Sequence, residues 1–336
     1  MKNNLLNTEK ALAAYFIIVI HTGFPKTFGV IANCIARFAV PLFFMISGYY
    51  LYSTDREKIQ SKIPRKIKHI GKITIISSII YLIWNILILM PNKLEIKSWL
   101  KSVTSLKSIL QLILFNQVNY APTLWFLFAL LYCYIIMLFV NKFNLYKISY
   151  LLIPILLFIN IVGSDVMEIV GKVIPYLFMN FLFFGFPFFM LGNLINRKKE
   201  SLKKISNKAL FFFIVIGNLI AIIERFITIR KEVYFGSIIV VSCMFILSIN
   251  NINNTDKFRC SIMENIGEKL SLFIYISHPI IIYIIEKFSY VINIHDTIFY
   301  KYSVPILTCI VTTILASIFY SLKKFLIRPK DKIINK

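Results

Sequence analysis

Apolar stretches long enough to cross a bilayer recur along the whole of this 336-residue chain. A lipid-spanning helix needs about 20 predominantly apolar residues, because each residue rises only about 1.5 Å. Ten segments meet or approach that length: about 9–24, 29–52, 68–90, 122–140, 148–163, 172–195, 208–226, 233–250, 268–289 and 302–326. Hydrophobic residues make up 58% of the chain and the mean hydropathy is +0.75, well above a soluble domain's apolar share of roughly 45–50%. Lipid must absorb the excess. The expected fold is all-α, a polytopic membrane bundle of about ten transmembrane helices.

The formal charge of +23 invites a nucleic-acid reading, but its distribution excludes one. With ten spans, alternate loops lie on one side together with both termini. That side carries 25 of the 38 Lys and Arg, in blocks such as 56–68, 197–208 and 323–336. By the positive-inside bias, both termini are expected to be cytoplasmic. The basic residues then serve topology and anionic headgroups, and no basic groove with interleaved aromatics remains for nucleic acid. The first apolar run lacks a following small-residue cleavage site and reads as a retained span. Five cysteines lack Cys-x-x-Cys spacing, so neither a disulfide framework nor a metal site is expected.

The longest loop, 91–121, is extracytoplasmic in this topology. It contains short amphipathic segments, with Lys97, Lys101 and Lys107 on their polar side. They suit an interfacial position or a cap over a cavity. With no linker, repeat or soluble segment, residues 1–336 read as one integral-membrane domain.

Within the apolar segments stand ionisable residues, which cost several kcal/mol there and usually mark function. His21 ends the run Ala11-Leu-Ala-Ala-Tyr-Phe-Ile-Ile-Val-Ile-His21. Lys10 lies eleven residues earlier, on the same helical face and about 16 Å away along the axis. A neutral imidazole in a partly dry site suits a general base, and a cytoplasmic lysine suits a phosphate-bearing donor. The bland reading is a snorkelling lysine and a histidine bonded to a neighbouring helix.

Arg37 opens Arg37-Phe-Ala-Val-Pro-Leu-Phe-Phe-Met-Ile-Ser47-Gly48-Tyr49 at a depth comparable to His21. It is either an anion contact or an outer-interface arginine that snorkels. Ser47-Gly48 permits close helix approach, but Ser47 is not set in a nucleophile elbow. Arg56 and Arg65 lie in the basic block after this segment, where cofactor phosphates or topology alone would explain them. Glu224 closes the seventh span, as an inward orienting carboxylate or an interfacial charge. His278 precedes Pro279, which frees a helical carbonyl that His278 could satisfy; a catalytic or substrate role is the other reading. His295, beside Asp296 in an outer loop, reads as solvated.

Four segments together make the chain resemble the integral-membrane acyltransferase type 3 family, the O-acyltransferases of bacterial surface polysaccharides. They are Lys10-Ala-Leu-Ala…Val-Ile-His21, Arg37 to Tyr49, Leu124-Trp125-Phe-Leu-Phe-Ala-Leu-Leu131, and Ile266-Gly-Glu-Lys-Leu-Ser-Leu-Phe-Ile-Tyr-Ile-Ser-His278-Pro. The resemblance implies acyl-CoA, usually acetyl-CoA, as donor, and an essential first-span histidine, here His21. It implies a cell-surface or lipid-linked glycan as acceptor, a multi-pass location in the bacterial cell membrane, and no permanently bound cofactor or metal. Lys10 stands where the family often has arginine, which keeps the charge and loses the bidentate fork. Arg56 and Arg65 match the basic residues after Ser-Gly loosely, and Trp125 and His278 fall within matching segments.

The expected chemistry has His21 as general base, or as an acyl-carrying nucleophile, with Arg37 or a nearby donor at the oxyanion. A polysaccharide exporter or other transporter is the competing reading, and a membrane sensor or ligand-uptake domain is a second. No paired half-repeats favour transport.

Overall fold

The computed structural model describes residues 3–171, 174–228, 231–251 and 260–327. Among these residues there is no β-strand. In chain order the helices are α1 (Asn4–Thr22), α2 (Lys26–Ala36), α3 (Ala39–Leu51), α4 (Arg56–Leu89), α5 (Lys93–Val103), α6 (Leu106–Phe115), α7 (Trp125–Lys142) and α8 (Tyr146–Ile169). There follow α9 (Phe186–Arg197), α10 (Lys199–Leu202), α11 (Asn207–Ile227), α12 (Phe235–Asn250), α13 (Ser261–Asn265), α14 (Ser271–Val291) and α15 (Ile298–Ile327).

Seven helical runs among the described residues are long and apolar enough to cross a membrane. The other three expected segments are helical too, as Asn4–Thr22, Phe181–Arg197 and Phe235–Asn250. The fold is thus the expected polytopic helical bundle.

Three boundaries differ from expectation. The basic block 56–68 is no loop but the first part of the 34-residue α4. Asp55 starts this helix by accepting the backbone N–H groups of Glu57 (2.9 Å) and Lys58 (3.3 Å). At about 51 Å, α4 exceeds the ~30 Å hydrocarbon core, so its charged start can project beyond it. The continuous helix of the sixth segment begins at 181, and its residues 172 and 173 lie outside the described residues. Asn180 caps a π-helical turn (Phe181–Gly185) through Leu182 N–H (2.8 Å) and Phe183 N–H (3.0 Å). The second segment breaks at Arg37–Phe38, between α2 and α3. Pro41 lies in the first turn of α3 and has no N–H for the Arg37 carbonyl, which accounts for a break at that point.

The helices group into two compact bodies, Met1–Ala39 with Ser248–Lys336, and Val40–Leu247. In the first, α1, α14 and α15 pack together. Gly267, in a π-helical turn (Ile266–Leu270), lies against the backbone of Asn7 and Ala11, and eleven residues later His278 meets His21. Those pairs make α1 and α14 parallel. Tyr15 bonds Thr313 (2.9 Å) and Phe24 meets Tyr302, so α15 runs antiparallel to α1.

The second body has an aromatic core in which Phe44, Trp125 and Phe184 pack together, with the Trp125 ring edge-on to Phe184 at 5.3 Å. Gly48 and Gly192 admit backbone contact between α3 and α9, with Phe189 and Met45 respectively. Asparagines satisfy carbonyls that water cannot reach. Asn193, for example, donates to the Gly48 carbonyl (3.2 Å) and accepts from the Tyr150 hydroxyl (2.7 Å). Helices α5 and α6 have no buried residues, and Leu94 and Leu106 are 80% and 72% exposed.

Candidate active site

His21 occupies the last turn of α1. Gly23, at φ +68°, takes a backbone conformation suited to glycine, and Pro25 follows, so the helix stops just beyond the histidine. Its ring lies 5.0 Å, centroid to centroid, from the ring of His278, at an interplanar angle of 39°. His278 is completely buried, whereas His21 is exposed and lines a cavity of about 380 Å³. Glu286, His295, Tyr300 and Lys301 line the same cavity. It lies at the C-terminal ends of the parallel helices α1 and α14, where the antiparallel α15 begins.

The tautomer of His278 follows from its partner. Nδ1 is 2.7 Å from the Tyr275 carbonyl, which can only accept, so Nδ1 carries the hydrogen and Nε2 the lone pair. Pro279 explains the bond: it has no N–H to offer the carbonyl four residues back, which is that of Tyr275. His278 thus pairs with the carbonyl that Pro279 leaves open. Its Nε2, also buried, has no hydrogen-bond partner among the described residues.

Arg37 is 2% exposed, so it does not snorkel to an interface. Its Nη2 donates to Asn33 Oδ1 at 2.7 Å. The next residue, Phe38, packs edge-on against Phe16 at 5.4 Å. Five residues of helix separate Phe16 from His21, so the Arg37 backbone passes α1 about 7.5 Å nearer its N-terminal end. A guanidinium buried at this level can serve as a fixed positive charge for an anion formed nearby.

Lys10 is half-buried near the other end of α1, with its ammonium 3.4 Å from Asn7 Oδ1 and Glu268 as an electrostatic neighbour. The continuity of α1 gives the face shared by Lys10 and His21 that the spacing implied. Beside Lys10, Glu9 is only 4% exposed, a buried carboxyl the sequence did not single out.

The remaining candidates belong to the second body. Glu224 accepts from the backbone N–H groups of Phe235 (3.1 Å) and Gly236 (3.0 Å), one on each oxygen, and so caps α12. The geometry gives it a capping role instead of the orienting role considered from sequence. Arg56 donates to the carbonyls of Asn141 and Lys142 (3.1 Å to the latter), satisfying the C-terminal end of α7. Arg65 is exposed on α4. Ser47 donates back to the Phe43 carbonyl at 2.9 Å, a bond within its own helix. Trp125 is a core residue whose carbonyl accepts from Asn116 at 3.3 Å.

His295, read from the sequence as solvated, lines this cavity instead. It stacks on Tyr290 with centroids 3.8 Å apart, and its Nδ1 is 3.2 Å from Ser289 Oγ. Its loop carries no periodic pattern, so only the turn that folds it back onto α14 brings it to the cavity of His21.

Of the comparisons with known proteins, the family profile agrees with the resemblance carried by the four segments. A curated relative from Enterococcus faecalis, named an amino-acid racemase, is 26% identical over 356 aligned positions. The alignment takes in 98% of this chain but only 48% of the relative, so the chain spans about half the length of the curated relative it matches. No solved structure matches. The profile of an acyltransferase domain matches residues 4–322, which take in all four segments that carry the resemblance, and the chain belongs to this acyltransferase type 3 family.

Proposed function

We propose that this membrane acyltransferase moves an acyl group, acetyl in the first instance, from cytoplasmic acyl-CoA to a hydroxyl of a cell-surface glycan, with His21 as general base. The observation that carries the reading is the position of His21: exposed to a cavity at one end of α1, with a lysine on the same face near the other end. A donor approaching along α1 from the Lys10 end and an acceptor entering the cavity would meet at the imidazole.

In the proposed step, His21 takes the proton of the acceptor hydroxyl as its oxygen attacks the thioester carbonyl carbon. The negative charge gathers on the former carbonyl oxygen, and the buried Arg37 supplies the compensating charge. The carbon–sulfur bond then breaks, and the proton on His21 passes to the leaving thiolate, giving free CoA thiol and the acyl ester. Lys10 attracts the donor's phosphates. In the bacterial cytoplasmic membrane, with both termini inside, the cavity would face the extracytoplasmic side, where surface glycans are exposed.

The test supplies membranes containing the protein with labelled acetyl-CoA and the native envelope fraction. Loss of label transfer to glycan in His21→Ala, with the protein still folded, is the expected result. Unchanged glycan labelling in that variant would remove the catalytic assignment. Lost glycan export with acylation intact would instead favour the exporter reading.

A second reading rests on the alignment with half of a protein named for an amino-acid reaction. In it, the cavity holds an amino acid, with Glu286 and Lys301 matching the ammonium and carboxylate. Saturable binding of a free amino acid that blocks glycan acylation competitively would favour it.

A further inference from the structure

We infer that His278 is a positioning residue for catalysis, its Nε2 accepting the N–H of His21 and so fixing which nitrogen of His21 faces the acceptor hydroxyl. This inference rests on the proposed general-base role of His21.

Three observations carry it. First, the tautomer of His278 is set from behind: Pro279 frees the Tyr275 carbonyl, and that carbonyl holds Nδ1–H at 2.7 Å. The lone pair is therefore permanently on Nε2, so this ring presents an acceptor to its surroundings. Secondly, Nε2 is buried without a hydrogen-bond partner among the described residues. A buried polar atom left unsatisfied costs about 1–3 kcal/mol, and a native structure rarely leaves one without a use.

Thirdly, the His21 ring is 5.0 Å away. Two imidazoles joined nitrogen to nitrogen at about 2.9 Å have centroids roughly 5 Å apart, so little more than a ring rotation of His21 closes the bond. Catalytic hydrogen bonds commonly tighten only when substrate is present.

The consequence is chemical. A neutral imidazole has one donor and one acceptor nitrogen, and only the acceptor can take a proton. With its N–H held by His278, His21 turns its lone pair towards the cavity. As His21 becomes imidazolium during the reaction, the same contact becomes a charge-assisted hydrogen bond and strengthens. The arrangement resembles the backing groups that orient histidines in metal and triad sites, except that a second imidazole, itself oriented by a backbone carbonyl, fills the place of the carboxylate.

Two substitutions separate this role from a purely structural one. In His278→Asn, the side-chain amide can still donate to the Tyr275 carbonyl but does not reach the position of Nε2. In His278→Gln, the longer chain carries an amide oxygen to about that position. Full-length protein in membranes is assayed with labelled acetyl-CoA and the native envelope fraction, alongside thermal unfolding. The expected result for His278→Asn is a 10–100-fold fall in kcat with KM for acetyl-CoA unchanged, in line with the loss of other orienting groups. His278→Gln is expected to recover most of that loss.

Wild-type kcat in His278→Asn, or a Gln variant worse than Asn, would overturn the inference and leave His278 structural. A wild-type measurement covers the case in which neither variant folds: ¹⁵N shifts of the His21 ring with acetyl-CoA bound. A single tautomer is expected, and an equal mixture overturns the inference. If His21→Ala keeps full transfer, the general-base reading fails. If transfer requires His21 but ignores position 278, only the positioning role fails.

Discussion

His278 donates its Nδ1–H to the Tyr275 carbonyl, the acceptor that Pro279 leaves open in α14. A proline that would ordinarily weaken a helix thus sets the orientation of a buried histidine, and that histidine faces the one proposed to carry the chemistry. The link from backbone to reaction runs through three residues in five positions of sequence.

The two positions of chemical interest in the separate bodies should respond differently to substitution. His21→Ala should lower acyl transfer by about 10²–10⁴-fold, the usual worth of a general base, with little change in melting temperature because His21 is exposed at the cavity. Glu224→Ala should do the reverse, costing about 1 kcal/mol of stability through the lost cap of α12 while transfer persists. Transfer assays and thermal unfolding on the same preparations check both.

Gly267 should not tolerate a side chain. A Cβ there would overlap the Asn7 carbonyl and crowd the Ala11 amide, so Gly267→Ala must separate α1 from the turn that leads into α14. Overpacking of this kind costs about 1–3 kcal/mol. Because the same two helices carry His21 and His278, turnover should fall more than stability alone explains. Comparing kcat well below the melting transition with the melting temperature separates the two effects.

Lys231 and Asp165 form an ion pair in the second body, with Nζ 2.6 Å from Oδ2. The lysine side chain is 3% exposed and the aspartate 30%, so their removal is not equivalent. Asp165→Ala leaves the buried ammonium uncompensated and should cost about 3 kcal/mol. Lys231→Met leaves a carboxylate that water can reach and should cost less. The opposite order in unfolding measurements would contradict this account.

Asp55 should make the start of α4 sensitive to acid. The Lys58 backbone N–H, aided by the Glu57 N–H and the Lys58 ammonium, holds its carboxyl below the usual range. A depressed folded value means that the contribution is complete above the ordinary carboxylate pKa and is lost as pH falls through the lowered one. Protection of the Glu57 and Lys58 amides, measured against their intrinsic exchange rates, should therefore fall as pH drops below the ordinary carboxylate range in the wild type. Asp55→Ala should show fast exchange at neutral pH already.

Much of this molecule could be read from the residues in order. Bilayer-length apolar runs leave the backbone no way to satisfy itself except as helices, so the fold class and the helical segments followed from composition and spacing. Lys10 and His21 share a face because one uninterrupted helix joins them, and the Tyr275 carbonyl was predictable because proline acts on a fixed position four residues back. These are local consequences of chain geometry.

Other features depend on which helices meet. Nothing near Glu224 in sequence reveals that its carboxylate caps a helix beginning eleven residues later, or that Arg56 closes the end of α7, 85 residues away. The burial of Arg37, the return of His295 to the cavity and the approach of His278 to His21 across 257 positions are likewise long-range. Periodicity reports which side of a helix is apolar, whereas a hydrogen bond depends on the partner that packing brings to it. The sequence alone determined the helices and the first histidine; the tertiary structure decided which ionisable residues are structural and which stand together at a cavity.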